Sequence, residues 1–357
     1  MRVLFVIPGM GFGGAERVVA TLANELVKSN DITVVLTSGK GETAYKLDEN
    51  VKLEIMPVSG NVVKTWGAFR RLCKRQRPDA VVAFMADTGV MAAAFLAGTG
   101  IPVIASERND PARKRGDLSV IVKLLGRIAP AFTAGYVFQS EGARSYYPKR
   151  VQKKSRIILN PLNIEKLPAR EADKIDNRIV SVGRLHPQKN QKMLINAFAK
   201  SKAKDAHTLH IYGDGELRGE LEALIDKLGI SDKVFLEGNS KRVQEDIKNA
   251  KMFVFTSDYE GLPNALMEAM AIGIPCLSTD CSPGGARMLI NDGENGVLIP
   301  CGDEERLIAE LDALIDDPER LKAFSEQSVK LRDRTNIAAI SKEWIDFIKK
   351  FAKHLGE

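Results

Sequence analysis

Short apolar runs of β type recur along this chain, with helical stretches between most of them. In the first half they fall at Arg2 to Ile7, Ile32 to Thr37, Val51–Met56, Ala80–Phe84, Val103–Ser106, Gly135–Phe138 and Arg156–Leu159. In the second they fall at Arg178 to Val182, His207 to Tyr212, Val234 to Leu236, Met252 to Thr256, Pro275 to Thr279 and Val297 to Ile299. Such alternation implies α/β architecture, with mostly parallel sheets wrapped by helices. In sheets of that kind ligands sit at the carboxyl ends of strands, so function is sought in the loops that follow these runs.

With 357 residues, 44% of them hydrophobic, the chain can build two α/β domains. Near Asn160-Pro161 the apolar pattern stops, and Pro161, Pro168 and a run of charges lead to Asn177, which places a linker there. The four cysteines, Cys73, Cys276, Cys281 and Cys301, form no CxxC pair and read as buried thiols of a cytoplasmic protein. No apolar run of about 18 residues occurs and the N-terminus passes straight into a strand, so neither a membrane span nor a signal peptide is expected. The net charge of +6 is unevenly spread. Met1 to Asn160 holds 24 Lys and Arg against 13 Asp and Glu, and the remainder holds 28 against 33. The basic half should face something anionic: nucleic acid, acidic lipid or a phosphorylated substrate.

In that half, Pro8-Gly9-Met10-Gly11-Phe12-Gly13-Gly14 joins a strand to a helix, where glycine lets backbone approach a ligand closely. The spacing does not match G-x-G-x-x-G, and no acid ends the second strand for a ribose, so this is not a dinucleotide fingerprint. A tight turn would also account for it. Asp87, after Phe84, and Glu107-Arg108, after Ser106, are candidates to line the same strand ends. Between Val62 and Arg77 lies an acid-free basic stretch with Lys64, Arg70, Arg71, Lys74, Arg75 and Arg77, while Val62, Trp66, Phe69 and Cys73 recur at helical spacing. It reads as a basic amphipathic helix, either a solvated face or a ligand grip. Two more basic runs, Arg113-Lys114-Arg115 and Arg144 to Arg156, make an anionic membrane surface or a pyrophosphate-bearing substrate a plausible partner.

The second half carries denser chemistry. Gly183-Arg184 follows a strand, and Lys189 comes five residues later, just before a helix from about Asn190. Arg184 can grip a phosphate through two parallel N–H groups, and Lys189 can act as a point charge. Gly213-Asp214-Gly215 closes the next strand, and Gly238 to Arg242 forms a loop where a base could pair with main-chain groups. The stretch from Met252 to Thr279 then reads as strand, loop, helix, strand, with Pro263 just before or at the first helical turn, Asn264 as cap and Gly273 as stop. The open end of such a helix is a natural phosphate seat. Glu260 before it and Glu268 one turn in can each accept hydroxyl hydrogen bonds, which suits a ligand with both sugar hydroxyls and phosphate. The four histidines, His186, His207, His210 and His354, make no metal set, and no acid pair after a strand suggests Mg²⁺.

Taken together, Gly183-Arg184…Lys189-Asn190, Gly213-Asp214-Gly215, Glu260-Gly261-Leu262-Pro263 and Glu268-Ala269 resemble the family 4 glycosyltransferases. The resemblance implies the GT-B fold, two Rossmann-like domains with a deep interdomain cleft. It implies an acceptor-binding domain over residues 1–165 and a nucleotide-sugar-binding domain over 166–337, with a last helix of about 338–357 packing back on the first. It further implies that Arg184 and Lys189 neutralise the departing diphosphate in place of a metal, and that Glu260 touches the donor sugar. Gly261, Leu262, Asn264, Ala265 and Leu266 would lie at the phosphates, Glu268 at the ribose, Gly183, Gly213, Asp214, Gly215 and Arg242 around the donor, and Gly13-Gly14 beside the pyrophosphate once the domains close. Members are retaining and need no cofactor.

Within the family, Gly13-Gly14-Ala15-Glu16, Ser106-Glu107-Arg108-Asn109 and the Val62–Arg77 helix look most like bacterial enzymes that extend lipid-diphosphate-linked oligosaccharides. Among these are the N-acetylgalactosaminyl transferases of bacterial N-glycan assembly. That likeness implies a UDP-sugar donor carrying an N-acetylhexosamine or hexose, and an undecaprenyl-diphosphate-linked acceptor. The acceptor would be held by Asp87, Glu107, Arg108, Arg70, Arg71 and Lys74 at the cytoplasmic face of the membrane, with no role for nucleic acid. One departure stands out: Asp87 occupies the region where many members place a His facing the sugar. A nucleotide-sugar epimerase on the same scaffold, or a non-catalytic membrane-recruited binding protein, is the alternative. An epimerase would need acid/base side chains near the sugar, which the first half, without a histidine, does not obviously supply, and UDP release in the presence of donor and acceptor separates a transferase from a binding protein.

Overall fold

The structure, a computed structural model, describes residues 1–11, 13–38, 43–57, 62–113 and 120–352, with the side chains of 120–124 and 127 left aside. Phe12, Lys114, Arg115, and Lys353 and His354 of the expected last helix therefore lie outside the described residues. The chain divides into two compact units, Met1–Leu162 with Thr335–Glu357, and Asn163–Arg334.

The first unit is built on seven parallel strands: β1 (Arg2–Ile7), β2 (Asp31–Leu36), β3 (Lys52–Ile55), β4 (Ala80–Phe84), β5 (Val103–Ser106), β6 (Gly135–Phe138) and β7 (Ser155–Ile157). Their spatial order is β3-β2-β1-β4-β5-β6-β7. The winding therefore reverses between β1 and β4, which pair in register from Val3↔Ala80 to Val6↔Ala83. Val3 to Ile7 and Ala80 to Phe84 are fully buried, as strands covered on both faces must be. The connecting helices are α1 (Gly14–Leu26), α2 (Val62–Gln76), α3 (Ala86–Leu96), α4 (Val120–Phe132), α5 (Glu141–Ser145) and α6 (Lys149–Gln152). In α2 most of the apolar stripe read from the sequence goes inward: Trp66, Phe69 and Cys73 are buried together with Leu72, and Trp66 meets Phe69 edge-on at 5.2 Å, whereas Val62, in the first turn, is exposed.

The second unit repeats the winding with β8 (Arg178–Val182), β9 (Thr208–Tyr212), β10 (Val234–Gly238), β11 (Met252–Phe255), β12 (Cys276–Thr279) and β13 (Val297–Ile299), in the order β10-β9-β8-β11-β12-β13. Its helices are α7 (Gln191–Lys200), α8 (Ala203–Ala206), α9 (Arg218–Leu228), α10 (Val243–Ile247), α11 (Asn264–Ile272), α12 (Glu304–Ile315), α13 (Pro318–Ser328) and α14 (Leu331–Thr335). Leu194, Phe198, Leu209, Ile211, Val254, Leu277 and Phe324 are among its core residues. The final helix, α15 (Ile337–Lys349), belongs to the first unit. There Trp344 is fully buried with its ring 5.7 Å from that of Phe84. A Cβ at Gly135 would stand 2.6 Å from the Phe351 ring, so only glycine lets the chain after α15 lie on β6.

Several element boundaries differ from the sequence expectation by one or two residues. The cap of α11 is Pro263, in extended backbone, and Asn264 is the first helical residue, because proline's fixed φ fits that entry. The strand expected over Val51–Met56 shortens to Lys52–Ile55, an edge strand with Leu53 and Ile55 exposed. Gly273 stops α11 as expected, in left-handed backbone at φ 96°.

Candidate active site

In the second unit the winding reverses between β8 and β11, and their carboxyl ends carry the two most chemically loaded loops. After β8 the chain passes Gly183 and Arg184 into the 3-10 turn Pro187–Lys189; after β11 it runs Thr256 to Glu260 into α11. The two loops meet. Lys189 Nζ forms an ion pair with Glu260 Oε1, their side chains 21% and 13% exposed, and the ammonium lies 5.0 Å from the Phe255 ring centroid. Ser257 Oγ donates to the same Glu260 oxygen at 3.3 Å, and the Glu260 amide donates to Ser282 O at 2.9 Å, so both the carboxylate and its backbone are held. The stem of Lys189 rests on Gly183, where a Cβ would come within 3.2 Å of it. Arg184 is exposed in the loop that leads into this turn.

Beyond this pair, Glu268 is 4% exposed in α11 and its Oε2 accepts from Gln244 Nε2 at 2.6 Å. Gly261, Leu262 and Leu266 are buried, and Asn264 and Ala265 half-buried, in the first turns of α11 and its approach. The glycines of Gly213-Asp214-Gly215 are demanded by packing within the unit. A Cβ at Gly213 would lie 2.1 Å from Gly183 O, one at Gly215 2.3 Å from Leu185 O, and Asp214 Oδ1 accepts from the Gly215 amide at 2.8 Å. Arg242 is 82% exposed beside Asp246. Cys281, next to Ser282, has its thiol pushed up to about 12 by burial, with the Glu260 charge adding to the effect.

The residues expected on the first unit separate into two kinds. Gly13, in extended backbone, caps α1, which begins at Gly14, and Asp87 lies in the first turn of α3 beyond Met85. Met85 holds φ 80°, a strained conformation for a non-glycine residue at the β1/β4 reversal, and nothing in the sequence marks it. Arg71 and Lys74 are exposed on α2. Arg70, Glu107 and Arg108 are instead committed within the unit. Arg70 Nη1 donates to Ala97 O at 3.0 Å and also to Phe95 O, at the end of α3. Glu107 accepts from the Arg108 amide at 3.0 Å, the Asn109 amide at 3.3 Å and Tyr147 Oη at 2.9 Å. Arg108 is buried between the Phe84 and Trp344 rings, at 5.1 and 5.4 Å, and donates to Asn160 Oδ1 at 2.9 Å. Burial pushes its guanidinium down to about 9, against the pull of the Glu107 charge. Arg70, Glu107 and Arg108, expected to hold an acceptor, thus each have hydrogen-bond partners inside the first unit. The sequence also does not single out Gln188, Asp258, Ser257 and Gln244 as partners of the site.

Two units of doubly wound parallel sheet, with a Lys–Glu pair and a helix start at the reversal of the second, define a GT-B protein. The family of Glycosyl transferases group 1 matches residues 163–331 and Glycosyltransferase Family 4 matches residues 12–166. The chain belongs to these glycosyltransferases. Over 360 residues, 98% of each chain, it is 28% identical to a Campylobacter jejuni protein named GalNAc-alpha-(1->4)-GalNAc-alpha-(1->3)-diNAcBac-PP-undecaprenol alpha-1,4-N-acetyl-D-galactosaminyltransferase. EpsF of Bacillus subtilis (strain 168), which also bears a glycosyltransferase name, is 30% identical across 78% of this chain and 79% of its own. The crystal structure of Anabaena Alr3699/HepE in complex with UDP superposes with a TM-score of 0.85 at 19% identity, covering 98% of this chain and all of that one, a likeness of fold.

Proposed function

We propose that this glycosyltransferase moves an N-acetylhexosamine or hexose, with retention and without a metal, from a UDP-sugar to a glycan carried on a lipid diphosphate. The observation that carries the reading is the Lys189–Glu260 pair, a cation and a carboxylate from two loops held together at the strand reversal. Support for the donor comes from the UDP in the Anabaena structure, and for the acceptor from the undecaprenol-PP in the Campylobacter name.

In this reading the C1–O bond to the diphosphate breaks as a bond from C1 to an acceptor hydroxyl oxygen forms on the same face. The leaving phosphate takes the hydroxyl proton. Negative charge grows on UDP as it departs, and fixed cations at Arg184 and Lys189 stabilise it most at that moment. The start of α11 offers backbone N–H groups and the positive end of its dipole to the phosphates. Glu260 accepts from sugar hydroxyls and Glu268 from the ribose. The exposed cations of α2, Arg71, Lys74 and Arg75, with Val62 and Val63 exposed at its start, face the acceptor diphosphate and an anionic membrane surface. Among the described residues no helix is long and apolar enough to cross a membrane, which suits peripheral attachment at the cytoplasmic face.

The test is a panel of UDP- and GDP-sugars offered with lipid-diphosphate acceptors, with products read by mass, in EDTA and in its absence. Transfer from a UDP-sugar that persists in EDTA is expected; transfer from GDP-sugars only, or complete loss in EDTA, overturns the donor or the metal-free reading. Lys189→Ala should lower kcat about 100-fold or more while UDP affinity falls far less, since the cation acts most on charge that develops in the transition state.

A further inference from the structure

The pairing of Lys189 with Glu260 depends on residues that touch neither partner's charged group. Lys189 ends its 3-10 turn, and the next residue, Asn190, adopts left-handed backbone at φ 47°, ψ 43°. Glycine enters that conformation without steric cost, so a side chain there calls for a reason. Asn190 uses both ends of its amide. The Oδ1 accepts from the Met193 amide at 3.3 Å, capping α7, and Nδ2 donates to Asp258 Oδ1 at 2.9 Å across the strand reversal. A carboxylate on one side and a backbone N–H on the other leave one sensible orientation for the amide.

Around this bond the two loops are laced together. The Asp258 amide donates to Gln188 O at 2.9 Å, and Gln188 Nε2 donates to Tyr259 O at 2.8 Å. Thr256 Oγ1 donates to Lys189 O at 3.0 Å and lies 3.1 Å from Asn190 O, while the Lys189 amide donates to His186 O at 2.9 Å. The backbone of Lys189 is thus held at its N–H and its carbonyl, and Asp258 lies two residues before Glu260. A cation acts on developing charge in proportion to how well it is preorganised, and a misplacement of about 1 Å can cost on the order of 100-fold in rate.

We propose that Asn190 and Asp258 are positioning residues: their hydrogen bond locks the turn carrying Lys189 to the loop carrying Glu260, so that cation and carboxylate meet the donor in one fixed geometry. The proposal rests on the donor role given above to Lys189 and Glu260, and goes beyond it by assigning the set of that geometry to a second pair, Asn190 and Asp258.

The test uses the full chain with Asn190→Asp, Asp258→Asn and the reciprocal double variant. Asn190→Asp keeps an oxygen for the helix cap but opposes two carboxylates; the double variant restores a donor and an acceptor across the loops with their places exchanged. Asn190→Asp should lower kcat with saturating UDP-sugar by about 30-fold or more, with UDP affinity within about threefold and the melting midpoint within a few degrees. The double variant should recover most of the loss. A kcat within about twofold of wild type for Asn190→Asp, or a double variant no better than the single ones, overturns the proposal. Should the wild-type chain turn over no UDP-sugar, the donor reading itself fails, and the latch is judged by hydrogen exchange alone. Faster exchange at the Asp258 and Glu260 amides in Asn190→Asp, reversed in the double variant, upholds the latch, and unchanged exchange overturns it.

Discussion

Two glutamates that lie near basic residues just after strands, Glu107 and Glu260, serve opposite ends. Glu107 and Arg108 are both buried inside the first unit, and the Glu107 charge favours the charged guanidinium. Glu260 meets Lys189 where both side chains retain some exposure. Removing one charge from a buried pair leaves the other uncompensated, so Glu107→Gln should destabilise the protein by about 3 kcal/mol in denaturant unfolding. Glu260→Gln should change stability by less than about 1 kcal/mol while abolishing most turnover. Equal stability losses would contradict the distinction. Both pairs showed in the sequence as a charge after a strand, but burial did not. Ser106-Glu107-Arg108 and Gly183-Arg184 look alike as text, and only the arrival of Trp344 from far down the chain seals Arg108. The cysteines were also only partly legible: Cys73, Cys276 and Cys281 are buried as read, whereas Cys301 is exposed, its Sγ 3.5 Å from Asp258 O. Burial pushes the Cys73 and Cys281 thiols up to about 12 and raises that of Cys276 too. At neutral pH a maleimide should therefore label Cys301 alone in the folded chain; rapid labelling of a second thiol, read by peptide mass, would count against the buried assignments.

At the scale of elements, periodicity carried most of the information. The helical spacing of Trp66, Phe69 and Cys73 located α2 and its buried face, because residues three and four apart share one side of a helix. What spacing could not show is that neighbouring arginines on that helix have different employers. Arg70 reaches the carbonyls of Phe95 and Ala97 at the end of α3, where a cation favourably meets the negative end of the helix dipole, and Arg71 turns to solvent. Arg70→Ala should lower stability by about 2 kcal/mol, the worth of charged hydrogen bonds lost from a half-buried site. Arg71→Ala with Lys74→Ala should leave the unfolding midpoint unchanged and raise KM for a lipid-diphosphate acceptor several-fold, sparing slow hydrolysis of the donor. An unchanged KM would return α2 to a solvated face. The glycines teach the same lesson in reverse. Gly213 and Gly215 were expected around the donor, and the backbone of the loop after β8 by itself already requires a glycine at both.

At the scale of the whole molecule, the two sheets wind in the same sense with the same reversal, and the sequence displayed this as two series of strand and helix separated at Asn160-Pro161. The units differ in how the chain completes them. The second is one continuous segment, Asn163–Arg334, with its own core, whereas the first needs the returning segment from Thr335 to bury Phe84 and cover Gly135. A chain ended after Arg334 would lose Trp344, Phe347 and Ile348, each nearly or fully buried, and expose the apolar surface they cover. At about 2 kcal/mol or more for each buried side chain, that loss approaches the whole stability of an ordinary domain. The truncated chain should therefore unfold its first unit and keep its second. Calorimetry should show one thermal transition in place of two, and UDP should still raise the midpoint of the transition that remains, because Lys189, Glu260 and Glu268 all belong to the second unit. A truncated chain that melts like the full one would contradict the need of the first unit for the returning segment, and one that folds but no longer responds to UDP would contradict the proposed nucleotide site in the second unit.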